Sequence, residues 1–172
     1  PERAYDRTWL RKEALNLAAR RAGYQAFDVE GAFEVFFVAR NAVEPFAEVR
    51  PTLERLGRRY LLASLSNGNA DLRLIGLDDL FMFSLNAIDI GAAKPDPLLF
   101  KEARRRLAVR PDQIVHVGDD PEHDIAGAAR AGFRTVWVNR THRDWPGGPR
   151  ADAEIVTLDE LEPVLAAWED RG

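Results

Sequence analysis

The sequence predicts an α/β fold: a parallel sheet covered by helices on both faces, with a small helical subdomain ahead of it. Three observations predict it. From residue 60 onward, apolar runs of strand length alternate with helical patterns over residues 60–65, 69–75, 83–88, 96–107, 114–117, 121–131 and 135–138. Such alternation joins parallel strands through crossover helices. Two helical segments come before any strand, which sets residues 1–44 apart from residues 45–172. Finally, three polar segments each follow an apolar strand-like run, where an open α/β sheet binds its ligands.

Taken in order, Tyr5, Trp9, Leu10, Leu15, Leu17 and Ala18 recur at roughly helical spacing across residues 2–21. One face of this helix is expected to be buried, and Gly23 is placed to stop it. Asp28 suits the N-cap of a second helix running to about Asn41, with Phe33, Phe36 and Phe37 as its apolar content and Pro45 closing the region. A third helix is expected near residues 49–59. Asn69 is the expected cap of the helix after the first strand, while Asp96-Pro97 and Asp120-Pro121 each read as an N-cap followed by the favoured first-turn proline. Residues 153–156 add a last short strand and residues 158–168 a final helix, reached through the loop Trp145-Pro146-Gly147-Gly148-Pro149.

At 172 residues with 46% hydrophobic content, the chain is long enough to bury a real core. A net charge of −4, with arginines dispersed among acids, gives no electrostatic reason to expect nucleic acid or an anionic membrane as partner. The absence of Cys excludes disulfides and thiolate metal sites and makes the cytoplasm the expected compartment.

The three polar segments are Leu65-Ser66-Asn67-Gly68-Asn69, the run from Gly91 to Pro97 around Lys94, and Val117-Gly118-Asp119-Asp120-Pro121-Glu122-His123-Asp124. Ser, Asn and Gly are ordinary turn residues, so Ser66 gains meaning only if the N–H groups of the next helix lie beside its hydroxyl and cradle a phosphate oxygen. Lys94 is one of only three lysines against 21 arginines and stands before Pro95, which restricts its backbone to extended conformations. A surface lysine is ordinarily a solvated charge, but a compact ammonium at a strand end could bind phosphate and offset neighbouring carboxylates, a role in which Arg does not substitute freely. Capping accounts for Asp120 and Glu122, leaving Asp119 with no structural duty. A hard carboxylate in that position suits Mg²⁺, which takes one or two protein carboxylates together with waters and substrate phosphate. Asp124, about one turn into the helix, is placed to orient Lys94 or a metal-bound water. His116 and His123 read as a strand residue and a helix-start residue.

The order of these segments resembles the haloacid dehalogenase (HAD) superfamily of hydrolases over nearly the whole chain, with Ser66 matching its second motif, Lys94 its third, and Asp119 with Asp124 its acidic fourth. The flanking text, through Trp137-Val138-Asn139-Arg140, is most similar to the bacterial phosphatases with a helical cap. The resemblance implies a Rossmann-like core over residues 45–172 and the later part of the cap over residues 1–44. It also implies a Mg²⁺-dependent phosphatase of small phosphorylated metabolites, flavin-pathway phosphates among them, acting as a monomer or homodimer. Ser66, the backbone N–H of Asn67 and Lys94 would bind phosphoryl oxygens, Ser66 and Lys94 thereby serving catalysis. Asp119 would hold the metal, with Asp124 and Asp120 near metal-bound water.

One departure matters for chemistry. The family's first motif, Asp-x-Asp on a central strand, supplies the nucleophile of an aspartyl-phosphate mechanism and the general acid and base, and no residues here match it. In the family fold that strand lies between those ending at Ser66 and Asp119, so an N-terminal stretch of about 50 to 60 residues is expected in the intact protein. His123, where the related pattern commonly has Asn, is a smaller departure. A haloacid dehalogenase proper needs no metal and has a less acidic fourth motif, so Asp119 and Asp124 argue against it. A response-regulator receiver has its paired acids near the domain start and no leading cap. A catalytically inactive HAD-like fragment or binding domain is the remaining alternative.

Overall fold

The computed structural model describes residues 3–170. The first helix, expected from residue 2, starts later: Asp6 caps α1 (Arg7–Arg21) by accepting from Trp9 N, and Glu2 lies outside the described residues. Its expected buried face is only half covered: Trp9, Leu10 and Leu15 are half-buried, Ala19 is its one buried residue and Leu17 is 45% exposed. The reason is that α1 packs chiefly on one other helix, α2 (Val29–Asn41), through aliphatic and cationic stems. Lys12 pairs with Glu30 and lies over the Phe33 ring, and the Arg11 guanidinium sits 4.4 Å from the centre of Phe36. Asp28 caps α2 as expected, accepting from Gly31 N.

α3 (Val49–Leu56) leads into β1 (Ala63–Ser66), then α4 (Leu72–Ile75), β2 (Phe83–Asn86), α5 (Ala87–Ile90) and α6 (Pro97–Leu107). β3 (Val115–Gly118) is followed by a π-helical turn over Pro121–Ala126 that runs on into α7 (Gly127–Arg130). β4 (Arg134–Val138), β5 (Ala153–Ile155) and α8 (Leu161–Glu169) complete the described chain. Several elements differ from expectation, among them β1, which begins at Ala63 rather than residue 60, and α8, which begins at Leu161 rather than residue 158. α3 stops at Leu56 rather than near residue 59. α4 is one turn capped by Asp71, not Asn69, because the Asn69 amide is taken by Arg11 and Thr8. β2 ends at Asn86, where Asp89 accepts from the Asn86 N–H and starts α5.

All strand pairs are parallel, in two sheets: β1 with β2, and β3-β4-β5. No ladder joins β1 to β3 among the described residues, yet both sheets share one pair of apolar layers. On one side Leu56 of α3 and Leu161 of α8 pack with Val136 and Ile155, and both Leu62, just before β1, and Val115 of β3 lie against them. On the other, Phe100 of α6, Ala128 of α7 and Phe133 enclose Leu65 of β1 and Ile114. The sheet therefore has helices on both faces, as the alternating pattern predicts.

Polar contacts join the helix pair α1–α2 to the loops at the strand ends. Asn69 donates to Thr8 Oγ1 at 3.2 Å, and buried Asn41, at the end of α2, accepts from Asp71 N at 2.8 Å. Below them, Arg140 pairs with Glu48 and lies 3.9 Å from the Phe46 ring centre, tying the segment between α2 and α3 to the loop after β4. This partner holds the Glu48 carboxyl below its ordinary value.

Candidate active site

Lys94 sits in the loop between α5 and α6, and its side chain is only 9% exposed. Its ammonium donates to Asp124 Oδ1 at 2.6 Å and to Leu65 O, at the end of β1, at 2.8 Å. Asn67 holds the backbone of the same residue: Lys94 N donates to Asn67 Oδ1 at 2.6 Å, and Asn67 Nδ2 donates to Lys94 O at 2.8 Å. The Lys94-Pro95 peptide is cis, and Asp96 then caps α6 through Leu98 N, as the Asp-Pro pair predicts. The amide of Asn67 thus has a clear structural duty, distinct from the role its backbone N–H was expected to play.

Ser66 ends β1, and its Oγ accepts from Gly68 N at 2.9 Å. A hydroxyl that accepts in this way keeps its hydrogen for another acceptor. The helix N–H cradle expected beside it is not formed, because α4 begins at Leu72 rather than next to Asn69.

The turn after β3 carries four carboxylates; Glu122 is exposed without a side-chain partner among the described residues, and the other three differ in their tasks. Asp120 Oδ1 caps the π-helical turn, accepting from Glu122 N and His123 N, with His123 Nδ1 at 3.0 Å. Burial pushes the Asp120 carboxyl up, but these hydrogen bonds outweigh it and hold the group below its ordinary value. Asp124 is buried, and its Oδ1 takes Lys94 while Oδ2 accepts from Asp120 N at 3.1 Å. Burial alone would raise its pKa; His116 and Lys94 reverse that and keep it well below the usual carboxylate range. Asp119 is exposed, and its carboxylate has no hydrogen-bond partner among the described residues. Its backbone is held instead, with Trp137 Nε1 donating to Asp119 O at 3.0 Å and Arg143 Nη2 at 2.8 Å.

Two features of this site were not expected from the sequence. His116 is buried, with Nε2 3.3 Å from Asp124 Oδ1. The other is Gly118: a Cβ there would lie 2.4 Å from Asp124 Cγ, so the glycine makes room for the carboxylate. A signal for both existed in strand alternation, since residues 116 and 118 share one face of β3.

Two hollows adjoin the site. One of about 500 Å³ lies between Thr8 and Phe37 of the helix pair and the turns after β1 and β2, reaching Gly68, Asn69 and Asn86. A smaller one of about 230 Å³ lies beside Asp120, walled by Trp137, Arg143 and Pro146. The first borders the Ser66 turn without including Lys94 or Asp119, so its size does not make it the chemical centre.

The chain is matched by a family model over most of its length. The model, described as haloacid dehalogenase-like hydrolase, covers residues 3–132. The chain belongs to the haloacid dehalogenase-like hydrolases. Its relatives in this family carry both kinds of name. It is 36% identical over 163 residues to a phosphoserine phosphatase of Thermus thermophilus, an alignment that takes in 91% of this chain and 65% of the relative. It is 30% identical over 173 residues to the 5-amino-6-(5-phospho-D-ribitylamino)uracil phosphatase YigB of Escherichia coli, across 96% of this chain and 73% of that protein. The crystal structure of a 2-haloacid dehalogenase from Pseudomonas syringae pv. Tomato superposes with a TM-score of 0.89 at 43% identity, covering 98% of this chain and 75% of that one. The chain thus spans about two thirds to three quarters of the length of these HAD-like proteins. Among the described residues no helix is long and apolar enough to cross a membrane.

Proposed function

We propose that the protein carrying this chain is a Mg²⁺-dependent phosphatase of small phosphorylated metabolites. The observation that supports this most is the contrast between Asp119 and two of its neighbours: Asp120 and Asp124 are engaged within the protein, whereas Asp119 is left open directly after β3, with Glu122, also exposed, lying further on in the π-helical turn. Two relatives named as phosphatases, one of them of 5-amino-6-(5-phospho-D-ribitylamino)uracil, support the same reading.

The donor set fits a hard cation in part: Asp119 supplies one open carboxylate, and Mg²⁺ takes few protein carboxylates besides waters and phosphate. No group of three or more His, Asp or Glu among the described residues could hold a metal alone. When bound, Mg²⁺ offsets negative charge on the phosphoryl group. Lys94 keeps one of its three ammonium hydrogens for a phosphoryl oxygen, and Ser66 keeps its hydroxyl hydrogen for another. Attack on phosphorus belongs to a further carboxylate, forming an aspartyl-phosphate as the P–O bond to the leaving alcohol breaks, and water then hydrolyses it to orthophosphate and frees the carboxylate. This reading sets it on a parallel strand between β1 and β3, which no ladder joins. The helix pair over residues 1–44 then serves as part of a cap that selects substrates, in a cytoplasmic monomer or homodimer.

The Pseudomonas syringae neighbour favours a second reading, hydrolysis of a 2-haloacid. Both are tested in one experiment on the protein carrying this chain, by assaying p-nitrophenyl phosphate and 2-chloropropionate with Mg²⁺ and with chelator. Phosphate release that disappears with chelator supports the phosphatase reading. Halide release that persists with chelator replaces it, and turnover of neither substrate favours a binding domain.

A further inference from the structure

We propose that His116 is a positioning residue for Lys94, acting through Asp124. His116 lies on β3, buried, and its Nε2 is 3.3 Å from Asp124 Oδ1, the oxygen that also receives the Lys94 ammonium at 2.6 Å. A carboxylate only accepts, so the ring presents Nε2–H to it, and a neutral imidazole suffices. The other oxygen of Asp124 is held by Asp120 N at 3.1 Å, and its Cβ rests on Gly118. The Phe100 ring meets the imidazole edge-on at 5.3 Å, a close apolar neighbour on the ring.

The consequence concerns the direction of one hydrogen. Three donors share two carboxylate oxygens, and His116 competes with Lys94 for Oδ1. Take the His116 donor away and Oδ1 is free to rotate toward Lys94. The ammonium, tied otherwise only to Leu65 O, turns with it. His116 therefore fixes where the third Lys94 hydrogen points while lying out of reach of any ligand. A second duty follows from its place on the strand: its bond to Asp124 joins β3 to the turn that carries Asp119.

The inference rests on Lys94 holding a phosphoryl oxygen, so its test includes a readout independent of that role. With three lysines in the chain, ¹⁵N-lysine labelling resolves the buried Lys94 ammonium by NMR, and orthophosphate titration followed by ³¹P NMR measures ligand affinity. His116→Phe, which removes the donor, is expected to speed hydrogen exchange of the Lys94 ammonium and to weaken orthophosphate binding about tenfold, the scale of one charge-assisted hydrogen bond. His116→Gln, whose amide can reach the same oxygen, is expected to restore both. His116→Met serves as a second donor-free variant should the ring of His116→Phe prevent folding. Unchanged exchange in the donor-free variants overturns the proposal, as does equal damage by His116→Gln, which would mark a packing role. Faster exchange in a chain that binds no orthophosphate even as wild type keeps the positioning role and overturns the phosphate role of Lys94 instead.

Discussion

Lys94 Nζ lies 2.6 Å from Asp124 Oδ1 and 2.8 Å from Leu65 O, so one buried ammonium joins the β1–β2 pair to the turn after β3. It does so where the two sheets share core layers without a common ladder. Both side chains of the ion pair are under a tenth exposed, and taking two charges out of water is costly. The geometry offsets that cost, because Asp124 also has His116 and the Asp120 N–H, and Lys94 also has Leu65 O.

Removing one partner leaves the other charge buried alone. Lys94→Ala is expected to destabilise the chain by about 3 kcal/mol, the lower end for breaking a buried pair. Urea unfolding at pH 7 measures this, and a loss under about 1 kcal/mol would show that the pair is held loosely enough for water to replace the lysine.

Asp124 also sets a pH dependence. Its folded pKa is depressed below the unfolded value, so its contribution is fully present above the ordinary Asp range and is lost as pH falls below about 4. Between pH 5 and 3 the stability of the wild-type chain is expected to fall more steeply than that of Asp124→Asn. Parallel slopes in the two proteins would assign acid sensitivity to other carboxylates.

Asp119 behaves oppositely because it is exposed and unpaired. Asp119→Asn is expected to change stability by no more than about 0.5 kcal/mol, the usual range for surface substitutions. In the protein carrying this chain it should lower Mg²⁺ affinity and turnover together, by more than about tenfold. Calorimetric Mg²⁺ titration beside a phosphatase assay reads both, and full retention of both would remove Asp119 from the metal site.

Asn67 is expected to act through Lys94 rather than on a ligand directly. Asn67→Asp keeps the acceptor for Lys94 N but loses the donor to Lys94 O and sets two oxygens together, whereas Asn67→Ala loses both bonds. Each variant is expected to cost about 1–3 kcal/mol in urea unfolding. An unchanged midpoint for Asn67→Ala would mean that the loop carrying Lys94 holds without these two bonds.

Gly118→Ala tests the packing under the carboxylate. The added Cβ would come within 2.5 Å of Asp124 Oδ2 and closer still to its Cβ and Cγ, so Asp124 or β3 must shift. The Lys94 ammonium signal is expected to move and stability to fall by about 1–3 kcal/mol, the usual cost of overpacking. A signal at the wild-type position would show that the helix start, not the carboxylate, gives way.

Element type was legible wherever a local signal carried it. Asp28 before α2, Asp96-Pro97 before α6 and Asp120-Pro121 after β3 cap as their residue types dictate, since a cap depends on groups within a few residues. Asn69 failed by the same logic: its preference for capping is local, but its partners Thr8 and Arg11 come from α1. The buried face expected for α1 is only half covered, because helical spacing says which residues share a side, not how fully anything covers that side.

By itself, the sequence determined the alternation of strands and helices, the parallel sheet that follows from it, and the placing of Ser66 and Asp119 at strand ends, because each depends on short-range periodicity and turn chemistry; Lys94, expected at a strand end too, lies beyond α5. Only the tertiary structure decided how the three neighbouring acids divide their work. Asp120 caps, Asp124 is buried against Lys94 and His116, and Asp119 is left open. These carboxylates are chemically alike, and their roles come from burial and from partners up to 30 residues away, which no local pattern records.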